Sequence, residues 1–111
     1  MATATYVQRG DSIDYTPGGD ISAGDVVVQN DLVGVAKKDI SANALGALAV
    51  VGVFDFPKAT GSGEAISAGA VVYWDSGNSV MTATSDSNTE AGHAIADAAD
   101  ADTTVRVRLA P

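Results

Sequence analysis

Apolar side chains fall in short runs along this chain, each bounded by glycine, aspartate, asparagine or serine, a pattern that predicts strands rather than helices. Val105-Arg106-Val107-Arg108-Leu109 alternates strictly, which predicts a strand with aliphatic side chains inward and arginines outward. Asp25-Val26-Val27-Val28-Gln29 is a β-branched run entered from the turn signal Ser22-Ala23-Gly24. Leu32-Val33-Gly34-Val35-Ala36 comes next across Asn30-Asp31, and the two runs predict a hairpin. Residues 47–56 read as one longer strand, with Val51, Val53 and Asp55 on one face and Val50 and Phe54 offset by Gly52. A glycine inside a strand marks a bulge or a close backbone approach. Val71-Val72-Tyr73-Trp74 runs into the turn cluster Asp75-Ser76-Gly77-Asn78, and residues 79–84 return from it. Residues 91–96 read as a strand of small side chains and residues 97–104 as a loop.

Beneath these elements lies an internal repeat. Ile21-Ser22-Ala23-Gly24-Asp25-Val26-Val27 recurs as Ile66-Ser67-Ala68-Gly69-Ala70-Val71-Val72, with six of seven positions identical. Each copy reads as a turn feeding a buried strand and leads towards a later strand that carries a glycine, Gly34 or Gly92. Two copies are too few for a solenoid, so the repeat predicts a pseudo-symmetric pair of hairpins within one domain. The fold class expected is all-β: a small β-barrel or sandwich of short antiparallel strands, residues 11–111, preceded by an extended N-terminal arm, residues 1–10.

Composition narrows the function classes. At 111 residues the chain has the length of one domain, and its 25 Leu, Ile, Val and Phe are just enough for a core. Twenty alanines inflate the apolar fraction while burying little area each, so the expected core is thin and association is a natural way to enlarge it. Six Lys and Arg against fourteen Asp and Glu leave a net charge of −8, which repels polyphosphate and argues against nucleic acid or an anionic membrane as partner. Without cysteine there is no disulfide, thiolate metal site or Cys nucleophile. No apolar run approaches a membrane span and residues 1–5 lack the start of a signal peptide, so a soluble product is expected.

Candidate chemistry is sparse. His93 is the single histidine, three residues from Glu90 and four from Asp97, and it reads as a partly exposed strand residue rather than a general base or metal ligand. Asp97, Asp100 and Asp102 lack the spacing of a calcium loop and read as a solvated loop. Gly61-Ser62-Gly63 is followed by Glu64, which would repel phosphate, so it reads as a turn. These absences predict no enzyme, no cofactor and no metal. Phe54, Phe56, Tyr73 and Trp74 carry most of the large aromatic area, and two readings stay open for them, core or subunit-interface anchors. The uncharged segment Ala2, Thr3, Ala4, Thr5, Tyr6, Val7 and Gln8 reads either as a frayed end or as an extended arm that adds a strand to a partner's sheet edge. Arg9-Gly10-Asp11 behind it matches an integrin-binding tripeptide, a match short enough to recur by chance.

A resemblance emerges from the order of several small motifs. These are Tyr6-Val7-Gln8-x-Gly10-Asp11, Gly34-Val35-Ala36, Gly52-Val53-Phe54 with Pro57-Lys58, Gly69-x-Val71-Val72-Tyr73-Trp74-Asp75, Gly92-x-Ala94 and Arg106-Val107-Arg108-Leu109. Together they resemble the small capsid cement, or head decoration, proteins of tailed phages, over essentially the whole chain. Arg9, where proline is frequent in that family, and the Asp-rich loop at 97–102 depart from its pattern. The resemblance implies a structural protein that binds the outside of the mature head and stiffens it, often as a trimer at threefold or quasi-threefold positions. Its implied partners are the major capsid protein and further copies of itself. Its implied place is the outer surface of the virion, after a soluble stage in the host cytoplasm. Residues 2–8 are then the expected capsid-contacting arm. A head-fibre base or a glycan- or receptor-binding surface module is the alternative.

Overall fold

The computed structural model describes residues 3–7 and 10–109, and among these the regular structure is entirely β. Nine strands come in chain order: β1 Ser12–Tyr15, β2 Val26–Gln29, β3 Leu32–Val35, β4 Gly46–Ala49, β5 Gly52–Pro57, β6 Val71–Asp75, β7 Val80–Thr82, β8 Thr89–Ala94 and β9 Thr104–Leu109. They form two antiparallel sheets, one ordered β1-β4-β3-β2 and the other β5-β9-β8-β6-β7. Of the two expected architectures the sandwich is the one formed, because neither sheet closes into a barrel. The second sheet curls until Lys58 meets Met81 in a single parallel bridge.

Local pattern explains much of this. In β9, Val105, Val107 and Leu109 are 3%, 0% and 0% exposed while Arg106 and Arg108 face solvent, as strict alternation requires. β2 and β3 form the hairpin predicted, with Gln29 opposite Leu32 and Val26 opposite Val35. Asn30 turns it at φ 54°, a left-handed conformation that asparagine tolerates.

Elsewhere the periodicity misleads. The single strand expected over residues 47–56 is two strands in different sheets, β4 and β5. Between them Val50 is buried, Val51 is exposed and Gly52 takes φ 143°, so the chain turns from one layer into the other. The return strand expected over 79–84 shortens to β7, since Ser79 belongs to the turn at φ 55°. The strand of small residues begins and ends two positions earlier than expected, as β8. β1, with two apolar residues in four, is too short to carry a periodic signal of its own.

Two apolar clusters hold the layers together. Val33 and Val35 of the first sheet pack with Phe56, Val72, Trp74, Met81, Val105, Val107 and Leu109 of the second. Ala91 and Ala94 present no bulk, which lets β3 lie over β8. On its other face the first sheet buries Leu48 beneath Ala36 and Ile40, with Ile13, Tyr15, Ile21 and Val27 packed around them. Burying a large aliphatic or aromatic side chain is worth roughly 1.5–3 kcal/mol, whereas the alanines add little, so this core is compact but modest.

The repeat proves to be one structural unit used once per sheet. Gly24 and Gly69 sit at φ 93° and 88°, a region costly for any residue with a Cβ. Gly24 N–H donates to Ala36 O at 2.6 Å, and Gly69 N–H to Ala94 O at 2.7 Å. Ile21 exchanges both backbone hydrogen bonds with Ile40, and Ile66 does the same with Ala98. Beyond the shared turn the copies diverge: the first continues as the β2–β3 hairpin, while the second interposes β7 in the chain between β6 and β8.

Candidate interaction surfaces

The most exposed large apolar side chains described lie in the expected arm. Residues 3–7 contain no strand, and Tyr6 and Val7 are 80% and 83% exposed. Ala2 and Gln8 of the expected arm, and Arg9 of the tripeptide, lie outside the described residues. The four aromatics separate into two pairs. Phe56 and Trp74 are buried in the chain's own core, with ring centroids 6.2 Å apart. Phe54 meets Phe56 edge-on at 6.0 Å, and both Phe54 and Tyr73 keep part of their surface exposed. Of the four, these two have area to offer a second chain.

The outer face of the five-stranded sheet mixes charge with apolar side chains. Val53 lies opposite Arg108 across β5 and β9, Asp55 lies opposite Arg106, and Ile95 extends β8 beside Arg106. Val53 and Ile95 are 53% and 46% exposed. Arg106 forks onto Asp55, Nε donating to Oδ1 at 2.9 Å and Nη2 to Oδ2 at 3.2 Å. That hydrogen-bonded fork holds the Asp55 carboxyl below the ordinary aspartate value and raises the arginine in turn. Asp75, in the β6–β7 turn, is lowered as well, first by the Asn78 side-chain amide at 2.8 Å.

His93 stands exposed on this face, with Val71 and Arg108 as its cross-strand neighbours. Neither is a carboxylate, so the register gives the imidazole no orienting partner of the kind acid–base catalysis needs. Asp97 is turned away, its Oδ1 accepting the Ala68 N–H at 2.7 Å. Asp100 Oδ1 accepts from Ala65 N–H at 2.8 Å, and Asp102 Oδ2 from Ala99 N–H at 2.8 Å. The Asp-rich loop is thus a row of backbone latches rather than a ligand set. Among the described residues no three His, Asp or Glu converge as metal ligands.

Sequence reasoning missed the latch that matches Asp97. In the first copy Asp39 Oδ1 accepts the Ala23 N–H at 2.8 Å. The signal was present: Gly34-Val35-Ala36-Lys37-Lys38-Asp39 and Gly92-His93-Ala94-Ile95-Ala96-Asp97 share a Gly-x-Ala-x-x-Asp spacing. Lys58 was also missed; it is 3% exposed, and its ammonium donates to Ala59 O at 2.7 Å and Asp100 O at 3.5 Å. It lies at the base of an open cavity of about 580 Å³ lined by Glu64, Asp75, Asn78, Thr82 and Asp86. Glu64 takes the Thr82 hydroxyl at 3.3 Å. No aromatic side chain lines this cavity among the described residues.

A family model described as phage cement protein matches residues 7–109 of this chain. No curated protein and no solved structure matches it.

Proposed function

The chain belongs to the phage cement protein family, and on that premise we propose that it binds the outside of the mature phage head and stabilises it as a homotrimer at threefold or quasi-threefold positions. The single observation that carries this reading is the family match across residues 7–109, nearly the whole chain. Cement proteins associate with the phage capsid and are structural rather than enzymatic. The physical chemistry of this chain supports such a role. A net charge of −8 suits an exterior position away from packaged nucleic acid. A modest core, rich in alanine, suits a protein whose buried area is completed by neighbours.

In this reading residues 1–10 act as an arm and residues 11–111 as the body. The partners are the major capsid protein and other copies of the chain, and residues 2–8 are the segment that reaches them. Phe54 and Tyr73 contribute to contacts between copies. The protein is soluble in the host cytoplasm until the head expands.

The test is to add purified protein to expanded heads that lack it and to sediment them. Saturable binding at a fixed number of copies, with a higher temperature for loss of DNA from the heads, is expected. Heads that neither retain the protein nor gain heat resistance would overturn the reading.

A further inference from the structure

We propose that the arm of one copy, residues 3–7, adds as a strand to the open β2 edge of a second copy, so that the copies join head to tail. This rests on the homotrimer reading above and names the seam that reading leaves open.

The acceptor is identified by hydrogen-bond phase. β2 ends its sheet and pairs with β3 alone among the described strands. Ala36 N–H donates to Asp25 O at 3.0 Å, and the two-residue turn sets Gln29 against Leu32. Antiparallel ladders alternate, so residues 25, 27 and 29 direct their peptide groups to β3. Val26 and Val28 therefore turn their N–H and C=O outward, two residues apart, which is the repeat an added strand needs.

This edge is unguarded. Sheet edges are ordinarily protected by charge, proline or shortness. β5 carries Asp55 and Pro57, β1 carries Asp14, and β7 has three residues and is flanked by Lys58. β2 reads Val-Val-Val-Gln, with neither charge nor proline. Beside it runs a groove of about 310 Å³ between Val26, Pro57, Trp74 and Ser79. A strand laid on β2 can drop an alternate side chain into that groove, and Tyr6 fits its chemistry, an aromatic ring against Val26 and the exposed Pro57 with a polar tip at the rim.

The donor is visible in the same chain. Residues 1–8 contain no charged side chain, and the threonines, Tyr6 and Val7 favour extended backbone. Neither the arm nor β2 itself carries a charge, so pairing them adds no like-charge contact between the two strands to the repulsion that two molecules of net charge −8 feel. Their places in the sheet decide the symmetry. The arm leads into β1, and β1 and β2 are opposite edges of the four-stranded sheet, about 14 Å apart at ~4.8 Å per strand. Donor on one edge and acceptor on the other give a heterologous contact, which closes into a ring when the rotation allows. With residues 3–7 laid on the neighbour, the link from Val7 to Ser12 is five residue steps and spans roughly 17 Å when extended, which sets how close the neighbour's β2 edge must come to β1.

Because the chain has no cysteine, introduced thiols report unambiguously on this contact. Gln29→Cys is mixed with Ala4→Cys, Thr5→Cys or Tyr6→Cys in turn, oxidised, and run without reductant, both free and on decorated heads. At least one mixture is expected to give a mixed disulfide between the two variants, whereas Gln29→Cys mixed with Ser62→Cys, in a turn outside the arm, is expected to give none. Light scattering of the chain lacking residues 2–8 is expected to give a monomer with an unchanged circular dichroism spectrum. An arm-deleted protein that keeps the oligomeric mass of the full chain would overturn the proposal. So would the absence of every mixed disulfide both in solution and on heads, or a double variant whose disulfide closes within one chain. If the disulfides form and the protein still fails to bind heads, the decoration reading falls and the seam stands.

Discussion

Replacing Asp97 with alanine tests whether the repeated latches hold the two copies of the unit in place. Its Oδ1 accepts the Ala68 N–H at 2.7 Å and so fastens the turn before β6 to the segment after β8, 29 residues away. A hydrogen bond to a charged group contributes about 1.5–3 kcal/mol net when sheltered. Both Ala68 and Asp97 are exposed, so water replaces part of the bond, and the expected loss is about 1 kcal/mol. For a domain of this size that corresponds to a fall of roughly 4–8 °C in melting temperature. Asp97→Asn retains an acceptor without the charge and is expected to lose about half as much, since charge-assisted bonds are roughly twice as strong as neutral ones. Asp39→Ala removes the equivalent bond to Ala23 at 2.8 Å and is expected to cost the same. The two latches share no partner, so the double variant is expected to lose their sum within about 0.5 kcal/mol. Urea unfolding followed by the fluorescence of Trp74, the single tryptophan and 6% exposed, reads each midpoint directly. Alanine variants with midpoints indistinguishable from the parent would refute the latch argument, and an asparagine variant as weak as alanine would refute its hydrogen-bond part.

Three further outcomes are expected. Gly24→Ala and Gly69→Ala meet no neighbouring atom within 4 Å, so each is expected to lose about 1–2 kcal/mol from backbone strain alone in urea unfolding. Phe56→Ala, at 2% exposure, is expected to cost about 3–5 kcal/mol by the same assay, while Val53→Ala, at 53%, should stay within about 0.5 kcal/mol. In an NMR titration Asp55 and Asp75 are expected to protonate below the ordinary aspartate value of about 3.9, and Arg106→Gln is expected to raise Asp55 towards it while leaving Asp75 in place. The lowered folded values set the sign: what these carboxylates add to stability is complete above the unfolded value and disappears as pH falls through the folded one.

Strand content was readable wherever side-chain chemistry alternates within a few residues, as in β9 and the β2–β3 hairpin. The repeat and its glycines were readable because a left-handed turn leaves few alternatives to glycine. The modest, alanine-rich core was readable from composition. These are local or additive properties, and sequence by itself determines them.

Tertiary structure decided the rest. Residues 50–52 look like the middle of one strand, yet they divide two sheets, because periodicity records which face is buried and not which strand lies alongside. Phe56 and Tyr73 are similar in a sequence, but register puts one in the core and leaves the other partly exposed. Asp97 and Asp100 become latches only when backbone donors 29 and 35 residues away are brought to them. The open β2 edge exists for the same reason: whether a strand has one neighbour or two depends on the order of the whole sheet, and that order is set by packing between segments distant in the chain.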